Sequence, residues 1–154
     1  MSPGGEGYSG LVSFDLPLPF EPAAAATARR ELGGWLNQVG LSPLVDDATL
    51  VVSELIANAV RHAVPPLALH AIRMPAGVRL EVSDGAHDAM RPRTRTPDVG
   101  DPSGRGLGIV SALTQDWGVR ADPHGKTVWA DLPIGQPTPA ESGLISPKSR
   151  QRGH

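Results

Sequence analysis

The chain has 154 residues, of which 40% are hydrophobic and 19% charged, and its formal net charge is -2. This length suits one globular domain with its own core, and the nearly neutral charge gives no reason to expect a nucleic-acid partner. The absence of cysteine excludes disulfides, thiolate metal sites and thiol nucleophiles. Because no apolar stretch could cross a bilayer and the first residues lack a signal core, we expect a cytoplasmic protein without a membrane partner.

The first segments predict a loose terminus and one short strand. Residues 1–10 are rich in Gly and Ser and have no hydrophobic period, so we expect a flexible N-terminus. In residues 11–16 apolar side chains alternate with polar ones, which predicts a strand, and Pro17 and Pro19 are expected to end it.

Two amphipathic helices follow this strand. An apolar stripe with helical spacing begins after Glu21 and stops at Gly40, a residue type that favours helix C-termini. Ser42 and Pro43 are of the types found at an N-cap and in a first turn. They predict the start of a second helix, which spans residues 44–63 and ends before two prolines.

The second half of the chain predicts two hairpins separated by a loop and a helix. In chain order, the segments are a hairpin (67–74 and 78–84), a polar lid (86–103), a helix (104–113), a second hairpin (117–121 and 126–132) and a disordered tail (133–154). Strands that come in hairpins indicate antiparallel pairing and not a doubly wound βαβ fold. The predicted fold is therefore α+β, a two-layer sandwich with helices on one face of a mostly antiparallel sheet.

The second helix carries a polar stripe opposite its apolar face. Glu54, Asn58 and His62 recur at every fourth residue, which places a carboxylate, an amide and an imidazole on one side of the helix. Such a stripe indicates either a binding site or the ordinary solvated side of an amphipathic helix, and the helix alone leaves both interpretations open.

Three further features could carry chemistry. Asp84 and Gly85 end a strand, where a carboxylate could accept a hydrogen bond from an amine, although Asp-Gly also occurs in plain turns. Thr127 could face a ligand or be an ordinary β-branched strand residue. A glycine-rich segment enters a helix, whose N-terminus favours phosphate oxygens: Gly104, Arg105, Gly106, Leu107 and Gly108.

In this order, the features resemble the GHKL ATP-binding superfamily, with its N, G1, G2 and terminal G boxes. The sequence is most similar to the RsbW and SpoIIAB type of anti-sigma-factor serine kinase, especially the short stand-alone regulators of actinomycetes. The resemblance covers residues 11–132 and implies a Bergerat-type ATP-binding fold. It rests on the segments SELIANAVRHA, LEVSDG, GRGLGIVSAL, DWGV and GKTVWADLP.

The resemblance implies roles for the helix stripe and for the Asp-Gly pair. Asn58 matches the ligand of the Mg²⁺ ion that bridges the ATP phosphates, and Glu54 matches the general base of the serine kinases. Asp84 matches the acceptor of the adenine amine, with Gly85 as its flexible neighbour. A guanine base would present a carbonyl oxygen to Asp84, so this match implies rejection of GTP.

The remaining site residues are also assigned by resemblance. The glycine-rich segment at 104–108 matches the phosphate-binding loop, in which Arg105 is the first candidate among the arginines for a phosphate contact. Thr127 matches a hydroxyl near the base. Arg61 stands where related kinases have a basic phosphate contact, and His62 either lines the pocket or has a structural role.

The function implied by the resemblance is ATP-dependent phosphorylation of a serine or threonine on an anti-anti-sigma (STAS-type) partner, combined with control of a sigma factor. A homodimer is also implied. Two alternatives stay open: a non-catalytic module whose partner binding is gated by ATP, and a sandwich that has lost nucleotide binding.

Overall fold

A computed structural model describes residues 12–86 and 102–135, and only the backbone of residues 102–107. Five strands and three α-helices are present in this part of the chain. Their bounds are β1 (Ser13–Leu18), α1 (Ala24–Gln38), α2 (Val45–His62), β2 (Leu67–Met74), β3 (Gly77–Asp84), α3 (Pro102–Leu113), β4 (Asp116–Asp122) and β5 (Gly125–Pro133).

The five strands form one sheet in the order β1-β2-β3-β5-β4, and all four neighbouring pairs are antiparallel. The helices pack on one face of this sheet and share a hydrophobic core with it. The predicted α+β sandwich is therefore confirmed. Both hairpins, β2-β3 and β4-β5, have their predicted strands, with ends that differ by at most one residue.

The two faces of the sheet differ in chemistry, and we call them the helix face and the outer face. On β3 and β5 the helix face carries buried apolar side chains: Val78, Leu80, Val82, Ala130 and Leu132. On the same strands the outer face carries mostly polar side chains: Arg79, Glu81, Ser83, Thr127, Trp129 and Asp131. Because side chains alternate between the two faces along a strand, the position of a residue in β3 or β5 determines the face on which it lies.

Helix α1 buries the apolar stripe that the sequence predicted. Leu32 and Leu36 are fully buried, and the Trp35 ring stacks on Phe14 of β1 with the ring centroids 5.5 Å apart. Gly40 follows the helix with a φ of 81°, a backbone conformation that glycine adopts without steric cost. The predicted C-terminal glycine is therefore confirmed.

Helix α2 has charges that suit its dipole, with acidic Asp46 and Asp47 in its first turn and basic Arg61 and His62 in its last. The predicted N-cap at Ser42 is wrong. The Ser42 hydroxyl lies 2.7 Å from the Asn37 amide oxygen and donates to it, and residues 42–44 form a short 3₁₀ turn before the helix. A side-chain partner from α1 has replaced the local capping bond.

Two other predicted boundaries are wrong for reasons that depend on tertiary position. Strand β1 continues through Pro17 to Leu18, because β1 is an edge strand and a proline there needs no ladder bond from its nitrogen. Helix α3 starts at Pro102, two residues before the predicted start, so the C-terminal end of the predicted lid is helical.

Parts of the predicted organisation lie outside the described residues. These are residues 1–10, the lid from residue 87 to residue 101, and the tail from residue 136 onward. Among the helices that the structure describes, none is both long and apolar enough to span a membrane.

Candidate functional site

The polar stripe of α2 is only partly open to solvent. Glu54 and Asn58 are half-buried, while Arg61 and His62, one turn further along, are exposed. The opposite side of the helix buries Val52, Leu55, Ile56 and Ala59 in the core. A wholly solvated stripe would be exposed throughout, so Glu54 and Asn58 are partly covered by neighbouring groups.

Asp84 is a buried carboxylate at the C-terminal end of β3, and it lies on the helix face. Its side chain is 1% exposed. One carboxylate oxygen, Oδ1, accepts a hydrogen bond from the backbone N–H of Ala86 at 2.8 Å, which fixes the turn after the strand. The other oxygen, Oδ2, accepts one from the Lys126 ammonium nitrogen at 2.6 Å. The buried charge is thereby paired.

The backbone around Asp84 is packed so closely that Gly85 and Gly125 have no room for a side chain. The Gly85 N–H donates to the Val64 carbonyl at 2.8 Å, and a Cβ on Gly85 would lie 2.2 Å from the Pro65 carbonyl oxygen. A Cβ on Gly125 would lie 2.0 Å from the Asp84 carbonyl oxygen. These contacts bring Asp84 to the segment that follows α2 and to the start of β5.

Thr127 does not lie with Asp84. It is buried on the outer face, where its hydroxyl is 3.0 Å from the Ser83 hydroxyl. The residue directly opposite Asp84 in the ladder is Lys126. Assignment by resemblance missed Lys126, although the period of β5 could have found it: Val128, Ala130 and Leu132 face the core, so Lys126 must face the same way.

The glycine-rich segment lies inside helix α3 instead of preceding it. Since α3 begins at Pro102, Gly104, Gly106 and Gly108 occupy its first two turns, and Gly108 is exposed. Further along α3, Val110 is fully buried in the core. The side chains of Arg105 and Leu107 are outside the described part of the structure, so their predicted roles in the phosphate-binding loop stay predictions.

The sequence that contains the helix stripe, the buried carboxylate and the glycine-rich helix matches a known family. The histidine kinase-like ATPase domain matches residues 18–132, which is most of the chain. The chain belongs to this family. It is thereby a member of the GHKL superfamily, as the sequence motifs predicted.

A solved structure supports the fold of this histidine kinase-like domain. It is the histidine kinase domain from the Erythrobacter litoralis EL346 blue-light activated histidine kinase, with a TM-score of 0.50 and 18% identity. The match covers 79% of the present chain and 64% of that chain. The present chain therefore spans less than two thirds of this neighbour, and the likeness concerns the fold. No curated protein matches the chain.

Members of this family are described as ATPases, so the fit of a magnesium ion can be tested against the residues. No cluster of three or more His, Asp or Glu side chains suitable for a metal occurs in the described ranges. Mg²⁺ in nucleotide sites needs only one or two protein oxygens, because phosphates and water supply the rest. Asn58, which is half-buried on α2, provides an amide oxygen of this kind. The residues present fit the ion.

Proposed function

We propose that this histidine kinase-like domain binds ATP between α2, the end of β3 and α3, and works as an ATP-dependent regulator of other proteins. The observation that carries the proposal is Asp84, a carboxylate with a side chain that is 1% exposed, held by a turn and an ion pair at the end of a central strand. These two bonds hold the carboxylate in one position and use only two of its lone-pair positions, so an acceptor stands at the place where the family motif expects one.

Each side chain has a definite task in this proposal. The Asp84 carboxylate accepts a hydrogen bond from the adenine amine, and the Asn58 amide oxygen holds Mg²⁺ against the phosphates. The ion neutralises phosphate charge when it is bound. Backbone N–H groups at the start of α3 face the phosphate oxygens, where the helix dipole is favourable to anions.

For the reaction, we place Glu54 as the general base. Its carboxylate takes the proton from the hydroxyl of a serine or threonine on an anti-anti-sigma partner, while that oxygen bonds to the γ-phosphorus and the bond to ADP breaks. A sigma factor is the proposed second partner, and the protein works as a cytoplasmic homodimer. The alternative is a module that binds ATP, changes its affinity for a partner, and transfers no phosphate.

Nucleotide binding is tested by thermal denaturation with and without Mg·ATP. At a ligand concentration a hundredfold above the dissociation constant, binding stabilises the native state by about 2.7 kcal/mol, which raises the melting temperature by several degrees. We expect this rise in the wild type and a much smaller one in Asn58→Ala.

The matched control is Asn37→Ala, which removes an exposed amide at the end of α1 that is bonded to Ser42. It should retain the full ATP-dependent rise even if its own melting temperature falls. A wild type that gains no stability from Mg·ATP would refute the nucleotide site.

Phosphotransfer is tested by incubating the protein with γ-labelled ATP and purified STAS-domain proteins. We expect label on a partner serine or threonine with the wild type and with Glu31→Gln, an exposed glutamate of α1. Glu54→Gln should bind ATP and transfer nothing. If the wild type binds ATP but labels no partner, the non-catalytic alternative replaces the kinase.

A further inference from the structure

We propose that Lys126 forms, with Asp84, a base-reading pair that lets the nucleotide pocket accept 6-oxopurine nucleotides such as GTP and ITP as well as ATP. The inference rests on the proposed function, because it concerns the base end of the same site. It changes the ligand class: a lone aspartate in this place implies adenine only.

The argument starts from the edges that the two purines present. Adenine carries an amine donor at position 6 beside an acceptor at N1, whereas guanine and hypoxanthine carry an oxygen acceptor at position 6 beside an N1–H donor. A lone carboxylate accepts and never donates, so it pairs with the adenine amine and repels the 6-oxo group. The discrimination depends on the carboxylate being alone.

In this structure the carboxylate is not alone. The Lys126 ammonium lies 2.6 Å from Asp84 Oδ2, so a donor and an acceptor stand side by side. With adenine, Asp84 can accept a hydrogen bond from the N6 amine while Lys126 donates to N1. With a 6-oxopurine, Lys126 can donate to O6 while Asp84 accepts from N1–H, provided that the base shifts its position along the pair. The electrostatic cause for rejecting GTP is then removed.

Both groups retain bonding capacity for a ligand. A carboxylate has about four lone-pair positions, and Asp84 uses one for Ala86 and one for Lys126. An ammonium group has three donors, of which the bond to Asp84 uses one. Lys126 is also the more accessible member, with 17% of its side chain exposed against 1% for Asp84, so a base entering from solvent meets the lysine.

The pair is expected to stay together when a nucleotide binds. Removing Lys126 from Asp84 would leave a buried carboxylate without its counter-ion, which is strongly unfavourable. The backbone also keeps the lysine beside the carboxylate, because Lys126 is the direct ladder partner of Asp84 in the β3-β5 pairing.

The experiment measures dissociation constants of Mg·ATP, Mg·GTP and Mg·ITP by calorimetry with the full chain. ITP has the 6-oxo edge without the 2-amino group of guanine. It therefore separates recognition of the 6-oxo edge from steric exclusion of the 2-amino group. We expect the wild type to bind ATP and at least one 6-oxopurine nucleotide within about tenfold of each other.

Two variants of Lys126 and one control sharpen the result. Lys126→Met removes the donor and keeps an unbranched side chain, so it should weaken GTP and ITP binding relative to ATP by a further tenfold or more. Lys126→Arg keeps a charged donor and should retain the wild-type ratio. The control is Arg79→Met, which breaks the ion pair with Asp131 on the outer face. Its nucleotide ratio should equal that of the wild type.

A wild type that prefers ATP over both GTP and ITP by more than about tenfold overturns the inference and leaves the proposed ATP site standing. An unchanged ratio in a folded Lys126→Met overturns it as well. If the wild type binds none of the three nucleotides, the proposed function itself fails. The wild-type comparison needs no variant, so it decides the question even if Lys126→Met does not fold.

Discussion

Two ion pairs join β3 to β5, one on each face of the sheet, and each pairs an aspartate with a basic side chain. They differ in the number of hydrogen bonds between the two partners. On the outer face, Arg79 donates twice to Asp131, at 2.7 and 2.9 Å, and its guanidinium also lies 4.5 Å from the centre of the Trp129 ring. On the helix face, Lys126 donates to Asp84 through a single bond. The outer pair uses both carboxylate oxygens on one partner, whereas the inner pair uses one oxygen for the lysine and one for the backbone N–H of Ala86.

The two pairs also differ in burial. The outer side chains are 23% and 31% exposed, so water competes for them and the pair contributes little to the free energy of unfolding. The inner pair is more deeply buried, and its attraction is offset by the loss of hydration. A short distance between charges therefore does not by itself indicate stability.

The largest difference in stability is expected between two glycine-to-alanine substitutions, one beside Asp84 and one on the outer face. In Gly85→Ala the new Cβ would meet the Pro65 carbonyl oxygen at 2.2 Å, an obstacle made of backbone. In Gly118→Ala it would meet the Trp129 ring at 2.8 Å, a side chain that can shift. We expect the free energy of unfolding to fall by about 3 kcal/mol or more in Gly85→Ala and by about 1 kcal/mol in Gly118→Ala, as measured by urea unfolding. Equal losses would mean that the end of β3 can move.

Replacing the aspartate of each ion pair with alanine should give the next largest difference in stability. Asp84→Ala leaves the Lys126 ammonium largely buried without a partner, and we expect a loss of about 3 kcal/mol together with loss of nucleotide-induced stabilisation. Asp131→Ala leaves Arg79 on Trp129 and near water, and it should cost about 1 kcal/mol or less. Similar unfolding free energies for the two variants would contradict the contrast in burial.

The smallest effect is expected from Thr127→Val, which removes a hydroxyl and keeps the shape of the side chain. The hydroxyl is bonded to Ser83 on the outer face, so its loss should cost about 1 kcal/mol of stability and leave the dissociation constant of Mg·ATP unchanged. The residue assignment by resemblance predicts the reverse, a weaker nucleotide affinity. Calorimetry on this variant therefore tests whether the Thr127 hydroxyl contributes to nucleotide binding.

Most of the fold could be predicted from local patterns. The alternation in β2 and β3 placed the first hairpin to within one residue, and the apolar stripe of α1 ended at a glycine, as observed. The errors arose where a distant contact decided the outcome. Pro17 could remain in a strand because β1 became an edge, and Ser42 bonded to Asn37 because the end of α1 lies beside it.

The candidate site was predicted in part, for a similar reason. The helical period sufficed to place Glu54, Asn58 and His62 on one stripe of α2, since a helix sets the direction of its side chains within a few residues. Asp84 was correctly singled out at the end of a strand. Its partner was not, because Asp84 and Lys126 are 42 residues apart in sequence.

Periodicity and residue type thus suffice for the secondary structure, for the layered architecture and for the family motifs, because these depend on the side chains of a few neighbouring residues. The pairing of Asp84 with Lys126, and the separation of Thr127 from both, depend on the antiparallel register of β3 against β5. A shift of that register by one residue would exchange the two faces of β5. Long-range pairing therefore determines which side chain of β5 stands beside Asp84.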